Sequence, residues 1–390
     1  MNILFVQLGS MGDCLLATTI ARQIKEVDYP NCHLTWMIGD IFETVIKNNP
    51  YVDDTITIPL KYENDAIIKA RENIATFVDE AQKKQKFDKV IILDVTPTNK
   101  NFHYGTYRSI YFRIYKEVYW NEVTVSPEPV INLLPEEVAN VEAFVKANKL
   151  DEDNCYPILI EAGAKSAQSE LNMDLALYVA EELVKKYNHV KCIISSKEKL
   201  PSDISPRIID GSVLTFRENA ELLNHCKLFL GGNSGITWLN VSTWSKKTPM
   251  IQNVVKPFTL VPVLSMSVDM DFKNVGQSTE GLIELGSPSR KKYLQCIYDV
   301  IDNSFKVAKS HYQSNEHNLN IKENLRYAIR SKYDIYLFRK IKIGTFSVSC
   351  DGRERGKIKL LGIPIFETEK VTNRIKIKFL KITILLLRGK

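Results

Sequence analysis

Apolar residues enter this chain in short runs, each closed by glycine or a polar turn and followed by helical spacing. Residues 3–8 form one such run, closed by Gly9-Ser10-Met11-Gly12-Asp13; Leu16, Ile20, Ile24 and Val27 then recur at helical intervals. The pattern predicts strand, glycine turn, helix. Strands are predicted again at 34–38, 55–58 and 89–93, the last closed by Asp94, with a short helix at 42–47 and a long charged one at 66–84. Strands alternating with helices at this pace predict a parallel sheet with helices on both faces.

Three prolines interrupt the rhythm between 125 and 135, a helix is predicted at 135–148, and the polar stretch 150–154 reads as a hinge. The alternation then restarts: strand 158–160, glycine turn at Gly163, helix 175–187, strand 190–195, helix 220–225, strand 228–230, glycine turn, helix 235–244. Two successive α/β units place a ligand beyond the carboxyl ends of the strands, in a cleft between the units. Residues 289–340 read as helical. Beyond them Lys340-Ile-Lys, Lys357-Ile-Lys and Lys376-Ile-Lys recur 17 and 19 residues apart, and alternation of Lys with Ile predicts short strands with one cationic and one apolar face.

Composition adds a split in charge. The 390 residues are 44% hydrophobic and 25% charged, an ordinary globular balance, with a net charge of +6. Residues 321–390 hold 18 Lys/Arg against six Asp/Glu, so a mildly acidic body carries a strongly basic tail. The expected division is 1–150, 151–310 and a 311–390 extension. Seven scattered cysteines with no Cys-x-x-Cys suit reduced thiols, and no apolar stretch approaches the ~18 residues of a membrane span, so a cytoplasmic protein is expected. No Walker or Gly-x-Gly-x-x-Gly motif occurs, and the six histidines form no i, i+4 pair; no metal and no cofactor are expected. Asp151-Glu-Asp153 and Asp269-Met-Asp271 match the Asp-x-Asp pattern of metal-dependent sugar transferases, a match expected about once by chance.

Three turns carry the candidate chemistry. Gly9, Ser10 and Gly12 bring backbone close to whatever lies above the first sheet, and Asp13 at the helix start reads either as a cap or as a general base facing the cleft. Glu161-Ala-Gly163-Ala164-Lys165-Ser166 offers backbone N–H groups and one cation, which suits a diphosphate. Gly231-Gly232-Asn233-Ser234-Gly235 again precedes a helix.

The stretch Ile3-Leu-Phe-Val-Gln-Leu-Gly-Ser-Met-Gly-Asp-Cys-Leu-Leu-Ala-Thr-Thr19, with Asn49-Pro-Tyr-Val-Asp53 after it, resembles glycosyltransferase family 9, the ADP-heptose:lipopolysaccharide heptosyltransferases. The resemblance covers about residues 1–260. It implies the GT-B fold, two Rossmann-like domains facing a cleft, here with a basic C-terminal extension. It implies inverting, metal-independent transfer of a heptose or related sugar from a nucleotide-sugar, first of all an ADP-sugar, to lipopolysaccharide or another bacterial surface glycan. By the resemblance Asp13 is the catalytic base, Gly163 and Ala164 match the Gly-Ala turn near the donor phosphates, and Asn233, Ser234 and Gly235 match its Asp-[Ser/Thr]-Gly.

The chain departs from that pattern around the donor. The family's Lys-x-Trp-Pro aligns with Ser169-Glu-Leu-Asn172, its Asp with Asn233 and its His with Trp238, leaving Lys165 as the substitute cation. These losses motivate an alternative, a non-catalytic GT-B protein that binds or scaffolds at a membrane surface; a sugar-nucleotide epimerase is a further rival. The tail, 335–390, is expected to hold the protein to the inner face of an anionic cytoplasmic membrane, near a glycolipid acceptor, and no nucleic-acid motif accompanies its charge.

Overall fold

In the computed structural model the described residues are 1–61, 63–95, 105–106, 108–163, 169, 171–255, 264–265, 267–316, 333–337, 341–346, 355–360, 363–371, 374–379 and 382–388. The chain divides into two compact units, Met1–Phe258 with Ser265–His317, and Thr259–Leu264 with Asn318–Lys390.

The first unit holds two parallel sheets. One takes β1 (Asn2–Val6), β2 (His33–Gly39), β3 (Asp54–Ile58) and β4 (Lys89–Ile92) in the order β3-β2-β1-β4. Ile3–Val6 and most of β2 are buried on both faces, which explains why these strands read as continuous apolar runs. Between β1 and β2 lies α1 (Met11–Gln23), buried along nearly its whole circumference from Gly12 to Gln23. Its polar side chains hold the proline-rich segment. Thr18 Oγ1 accepts from Val130 N at 2.7 Å, and Gln23 Oε1 accepts from Thr124 N at 2.8 Å and Val125 N at 3.1 Å.

The single helix expected over 66–84 is two, α2 (Asn64–Glu72) and α3 (Ile74–Lys84). Asn73 breaks it: its side-chain Nδ2 donates to Lys69 O at 2.7 Å, offering the backbone carbonyl a local alternative. A two-residue strand β5 (Gly105–Thr106), α4 (Ile110–Tyr119) and α5 (Pro135–Ala147) complete this half. The sequence pattern predicts no helix over α4, although Ile110, Tyr111, Ile114 and Tyr115 are buried along one side of it.

The other sheet joins β6 (Tyr156–Glu161), β7 (Val190–Ser195), β8 (Ile208–Asp210), β9 (Leu228–Gly231), β10 (Met250–Val254) and β12 (Leu282–Gly286), in the order β12-β10-β9-β6-β7-β8, all parallel. Renumbered from its first strand, this is the 3-2-1-4-5-6 order of a Rossmann fold, with its switch point between β6 and β9. The helices are α6 (Met173–Lys186), α7 (Glu218–His225), α8 (Gly235–Asn240), α9 (Val268–Val275), α10 (Arg290–Asp302) and α11 (Phe305–Glu316), and the two-residue β11 (Leu264–Ser265) precedes α9. The α8 helix ends at Asn240, short of the 244 expected, because Thr243 N donates to Pro129 O at 2.9 Å and draws the chain away. The two halves pack α1 against α8 and α5 against α7. Arg217, buried just before α7, donates from Nε and Nη2 to the Glu137 carboxylate of α5 at 2.7 and 2.8 Å, and its Nη1 reaches Lys47 O at 2.9 Å.

In the second unit, β13 (Tyr333–Leu337), β14 (Ile341–Phe346), β15 (Arg355–Leu360), β16 (Ile363–Val371), β17 (Arg374–Phe379) and β18 (Ile382–Arg388) form an antiparallel meander in chain order. The Lys-Ile-Lys segments starting at Lys357 and Lys376 fall on β15 and β17 as strands, and Ile341 and Lys342 of the first lie on β14, while Lys340 is outside the described residues. Tyr333–Leu337, expected as helix, is a strand as well, paired with β14; its Tyr-Asp-Ile-Tyr-Leu sequence is rich in strand formers.

Candidate functional site

The site grows from the carboxyl ends of β1 and β4. Asp94, completely buried just past β4, organises the turn after β1: its Oδ2 accepts from Leu8 N at 2.5 Å, and its Oδ1 from Gln7 Nε2 at 3.1 Å and Arg71 Nε at 2.8 Å. Burial pushes this carboxyl above the usual range, while Arg71 and the N–H donors pull the other way. Arg71, in the last turn of α2, also donates to Gly9 O. Gly9 itself has no room for a side chain, since a Cβ there would lie 2.3 Å from the Phe42 ring.

Asp13 sits at the third position of α1 and is 2% exposed. Its Oδ2 accepts from both the backbone N and the hydroxyl of Ser10 at 2.9 Å, with the Arg71 guanidinium 3.7 Å away. Its Oδ1 is paired with Arg108 Nη1. One oxygen of Asp13 thus caps the helix, and the other meets a buried arginine.

Arg108 is the link to the second sheet. Its side chain is 3% exposed, and burial lowers its pKa from the usual arginine value. The backbone N–H groups of Arg108 and Ser109 both donate to Asp271 Oδ1 at 2.9 Å, and Asp271 Oδ2 accepts from Asn233 Nδ2 at 3.1 Å. Asp271, in α9, is fully buried; burial raises its pKa against these hydrogen bonds. At the end of β6, Glu161 accepts from the Ser234 hydroxyl. Burial pushes the Glu161 carboxyl up to about 7, with Ser234 and Arg108 opposing the rise. The turns after β1 and β9 touch: a Cβ on Gly12 would lie 3.1 Å from Gly235 Cα and 3.4 Å from Arg108 Nη2.

The structure thus brings together Gly9, Ser10, Gly12, Asp13, Asn233, Ser234 and Gly235. Gly163 follows β6 in a left-handed conformation (φ +80°), with no atom of the described residues within 4 Å of where a Cβ would sit, whereas Ala164 and Lys165 lie outside the described residues. Trp238 is fully buried on α8, its ring 5.1 Å from Phe272. Asn172 caps α6, accepting from Leu175 N at 2.9 Å. Asp53 accepts from Leu34 N at 2.6 Å and Lys25 Nζ at 2.7 Å, a structural tie at the start of β2. Of the Asp-x-Asp pairs, Asp269 is bonded to Lys273 at 2.6 Å and Asp271 to the Arg108 segment, while Asp151 and Asp153 are exposed.

Arg71 and Arg108 carry no motif in the sequence, and the individual roles of Asp94, Glu161 and Asp271 emerge only from the fold. Asp94 and Glu161 did carry a signal, since each stands at the carboxyl end of a strand beside a switch point. Nor does any motif mark Asn253, which is fully buried near the end of β10 and whose Oδ1 and Nδ2 have no hydrogen-bond partner among the described residues.

No protein-family model matches the chain, and no curated protein matches its sequence. Solved structures do resemble it. A family 9 glycosyl transferase from Veillonella parvula aligns over 83% of this chain and 97% of its own at 14% identity, with a TM-score of 0.51. The ADP-heptose lps heptosyltransferase II of E. coli aligns over 80% and 100% at 12% identity (TM-score 0.45), and an E. coli heptosyltransferase solved with ADP over 78% and 99% at 12% identity (TM-score 0.46). At these identities the likeness is one of fold, and the first unit has the two-Rossmann GT-B architecture.

Proposed function

We propose that the chain is a glycosyltransferase that moves a sugar from a nucleotide-sugar to a glycan or glycolipid acceptor with inversion. The observation that carries the reading is the meeting of the two glycine turns, with the Asp13 carboxylate and the Arg108 guanidinium at their junction. An acceptor hydroxyl attacks the anomeric carbon, the bond to the diphosphate oxygen breaks, and Asp13 takes the hydroxyl proton. The nucleoside diphosphate leaves with added charge, which Arg108 and the Ser234 hydroxyl are placed to stabilise. Asn233, Ser234 and Gly235 contact the donor in this reading, with Gly163, Ala164 and Lys165 opposite them and Trp238 supporting the turn from the core. Closure around the donor keeps water from the activated sugar. The resemblance of residues 3–19 to the heptosyltransferases, together with the fold, favours a heptose or related sugar, an ADP-sugar donor and a lipopolysaccharide-like acceptor.

Thermal-shift screening against ADP, UDP, GDP, CDP, dTDP and their sugar conjugates tests the donor site, because a ligand bound by the native state alone raises the melting temperature. Asp13→Asn should keep that shift and abolish transfer. Transfer that survives Asp13→Asn refutes Asp13 as the base. A stable protein that binds no nucleotide favours the second reading, a non-catalytic membrane-surface protein, which the pairing of Asp13 with Arg108 also supports, since an arginine-held carboxylate is a weaker base.

The 335–390 tail we assign to an anionic membrane surface, the protein lying peripherally on the cytoplasmic side. Among the described residues no helix is long and apolar enough to cross a membrane. Each Lys or Arg near an anionic leaflet contributes about 1 kcal/mol, screened by salt. The full chain should sediment with phosphatidylserine vesicles at low salt and be released at high salt. Sedimentation unaffected by deleting 335–390 rejects the assignment.

A further inference from the structure

We propose that Glu161 meets the donor's diphosphate as a neutral carboxyl, so that the donor is bound together with one proton. The inference rests on the donor-site reading above and adds to it a titrating residue that the motif positions do not include.

Among the described residues four carboxyl groups lie at the junction of the two turns, and three are already committed. Asp13 holds Ser10 and Arg108, Asp94 holds the β1 turn and Arg71, and Asp271 holds the Arg108–Ser109 backbone and Asn233. Those three are at most 2% exposed. Glu161 is the one residue of the four that is only half-buried, although its carboxyl is desolvated; its hydrogen bond comes from the Ser234 hydroxyl, and it forms no ion pair with a described residue. The charged groups around it are Arg108, on the segment before α4, and, through that guanidinium, Asp13 of α1 and Asp271 of α9; the β9 turn adds the neutral Asn233 and Ser234.

A diphosphate bonded to the Ser234 hydroxyl would lie against the Glu161 carboxyl. An ionised Glu161 would then oppose it as a like charge in a partly desolvated site, whereas a protonated one donates its O–H to a phosphate oxygen. Burial already brings the Glu161 pKa to about 7, so near neutral pH the proton is available at little cost. The incoming charge raises that pKa further, and a proton enters from solvent with the nucleotide.

The test is calorimetric titration of the full chain with ADP, UDP, GDP, CDP and dTDP between pH 6 and 9, repeated for Glu161→Gln with each one that binds. Glu161→Gln imitates the neutral carboxyl, and comparison with wild type cancels the nucleotide's own titration. Relative to Glu161→Gln, wild-type affinity should fall by up to about tenfold per pH unit above pH 7. In buffers of different ionisation enthalpy, wild type should take up close to one proton at pH 8.5 that Glu161→Gln does not. Parallel pH profiles for wild type and a folded, nucleotide-binding Glu161→Gln overturn the inference while leaving the donor site standing. If wild type binds none of the five nucleoside diphosphates at any pH in the range, the donor-site reading falls and this inference with it.

Discussion

Removing Asp13 and Arg108 singly and together measures whether the junction of the two sheets is held by charge. The pair is buried on both sides, Arg108 at 3% and Asp13 at 2% exposure. Opposite charges about 4 Å apart attract by about 4 kcal/mol at an effective dielectric of 20, and desolvation consumes part of this. Losing one partner strands the other, which costs about 3–5 kcal/mol in buried pairs. The two single changes should differ. Arg108→Met leaves Asp13 with two hydrogen bonds from Ser10 at 2.9 Å and with Arg71 at 3.7 Å, so its cost should fall at the lower end. Asp13→Asn leaves the guanidinium without its carboxylate partner on α1 and should fall at the upper end. The double variant should be less destabilised than the sum by about 2–3 kcal/mol. For a cooperative unit of roughly 300 residues, 1 kcal/mol moves the melting temperature by about 1.5 °C. Differential scanning calorimetry should therefore show single losses of about 4–7 °C and a double variant about 3–4 °C better than additive. Additivity within about 1 °C would refute the reasoning, because the two groups would then not depend on one another.

Gly12→Ala places a Cβ 3.1 Å from Gly235 Cα and 3.3 Å from Gly235 N, backbone atoms that cannot swing aside; a loss of about 1–3 kcal/mol is expected, with a weaker nucleotide thermal shift, and an unchanged melting temperature counts against the close approach of α1 and α8. Asn253→Leu replaces a fully buried amide that has no hydrogen-bond partner among the described residues, so the ligand-free protein should gain about 1–2 kcal/mol, read as a higher denaturation midpoint; a lower midpoint means the amide is satisfied in solution. Glu161 and Glu284 are both raised by burial to about 7, so their contribution to stability is complete below the unfolded-state glutamate pKa and is lost as pH rises through about 7. The melting temperature should fall between pH 5.5 and 8.5, and the Glu161→Gln/Glu284→Gln double variant should flatten that slope.

The strands were legible because the parallel sheets bury both their faces, so β1, β2, β6, β7 and β9 stand out as apolar runs. Where a polar side chain is carried into the core the run is broken and the strand is lost to inspection. Gln252 and Asn253 interrupt β10, and Glu284 interrupts β12, yet Gln252 and Asn253 are fully buried. The break at Asn73 and the early end of α8 have the same origin in local competition. A side-chain amide takes a helix carbonyl at Asn73, and a distant carbonyl, Pro129 O, takes the Thr243 N–H. Periodicity records which face of a helix is apolar; it carries no record of a backbone group captured from 114 residues away.

The site divides along the same line. The α/β alternation pointed to the carboxyl ends of the strands, and the turns Gly9–Asp13 and Gly231–Gly235, after β1 and β9, meet there. What completes them is a residue with no motif of its own. Arg108 lies 95 residues from Asp13 in sequence and its backbone 163 from Asp271, so neither partner is recognisable beside it in the chain. Its guanidinium position is nonetheless tightly set, because Asp271 takes two successive N–H groups from the Arg108–Ser109 backbone while Asn233, in the β9 turn, fixes the other oxygen of the same carboxylate. The charge that neutralises Asp13 in the first half is thus located by the second half. Any change that shifts Asn233 or Asp271 should reach Asp13 through Arg108, without contact between them. An Asn at 233, where the heptosyltransferase pattern has an Asp, has a physical use in this arrangement: its amide donates to Asp271, a bond that an ionised Asp at that position could not make.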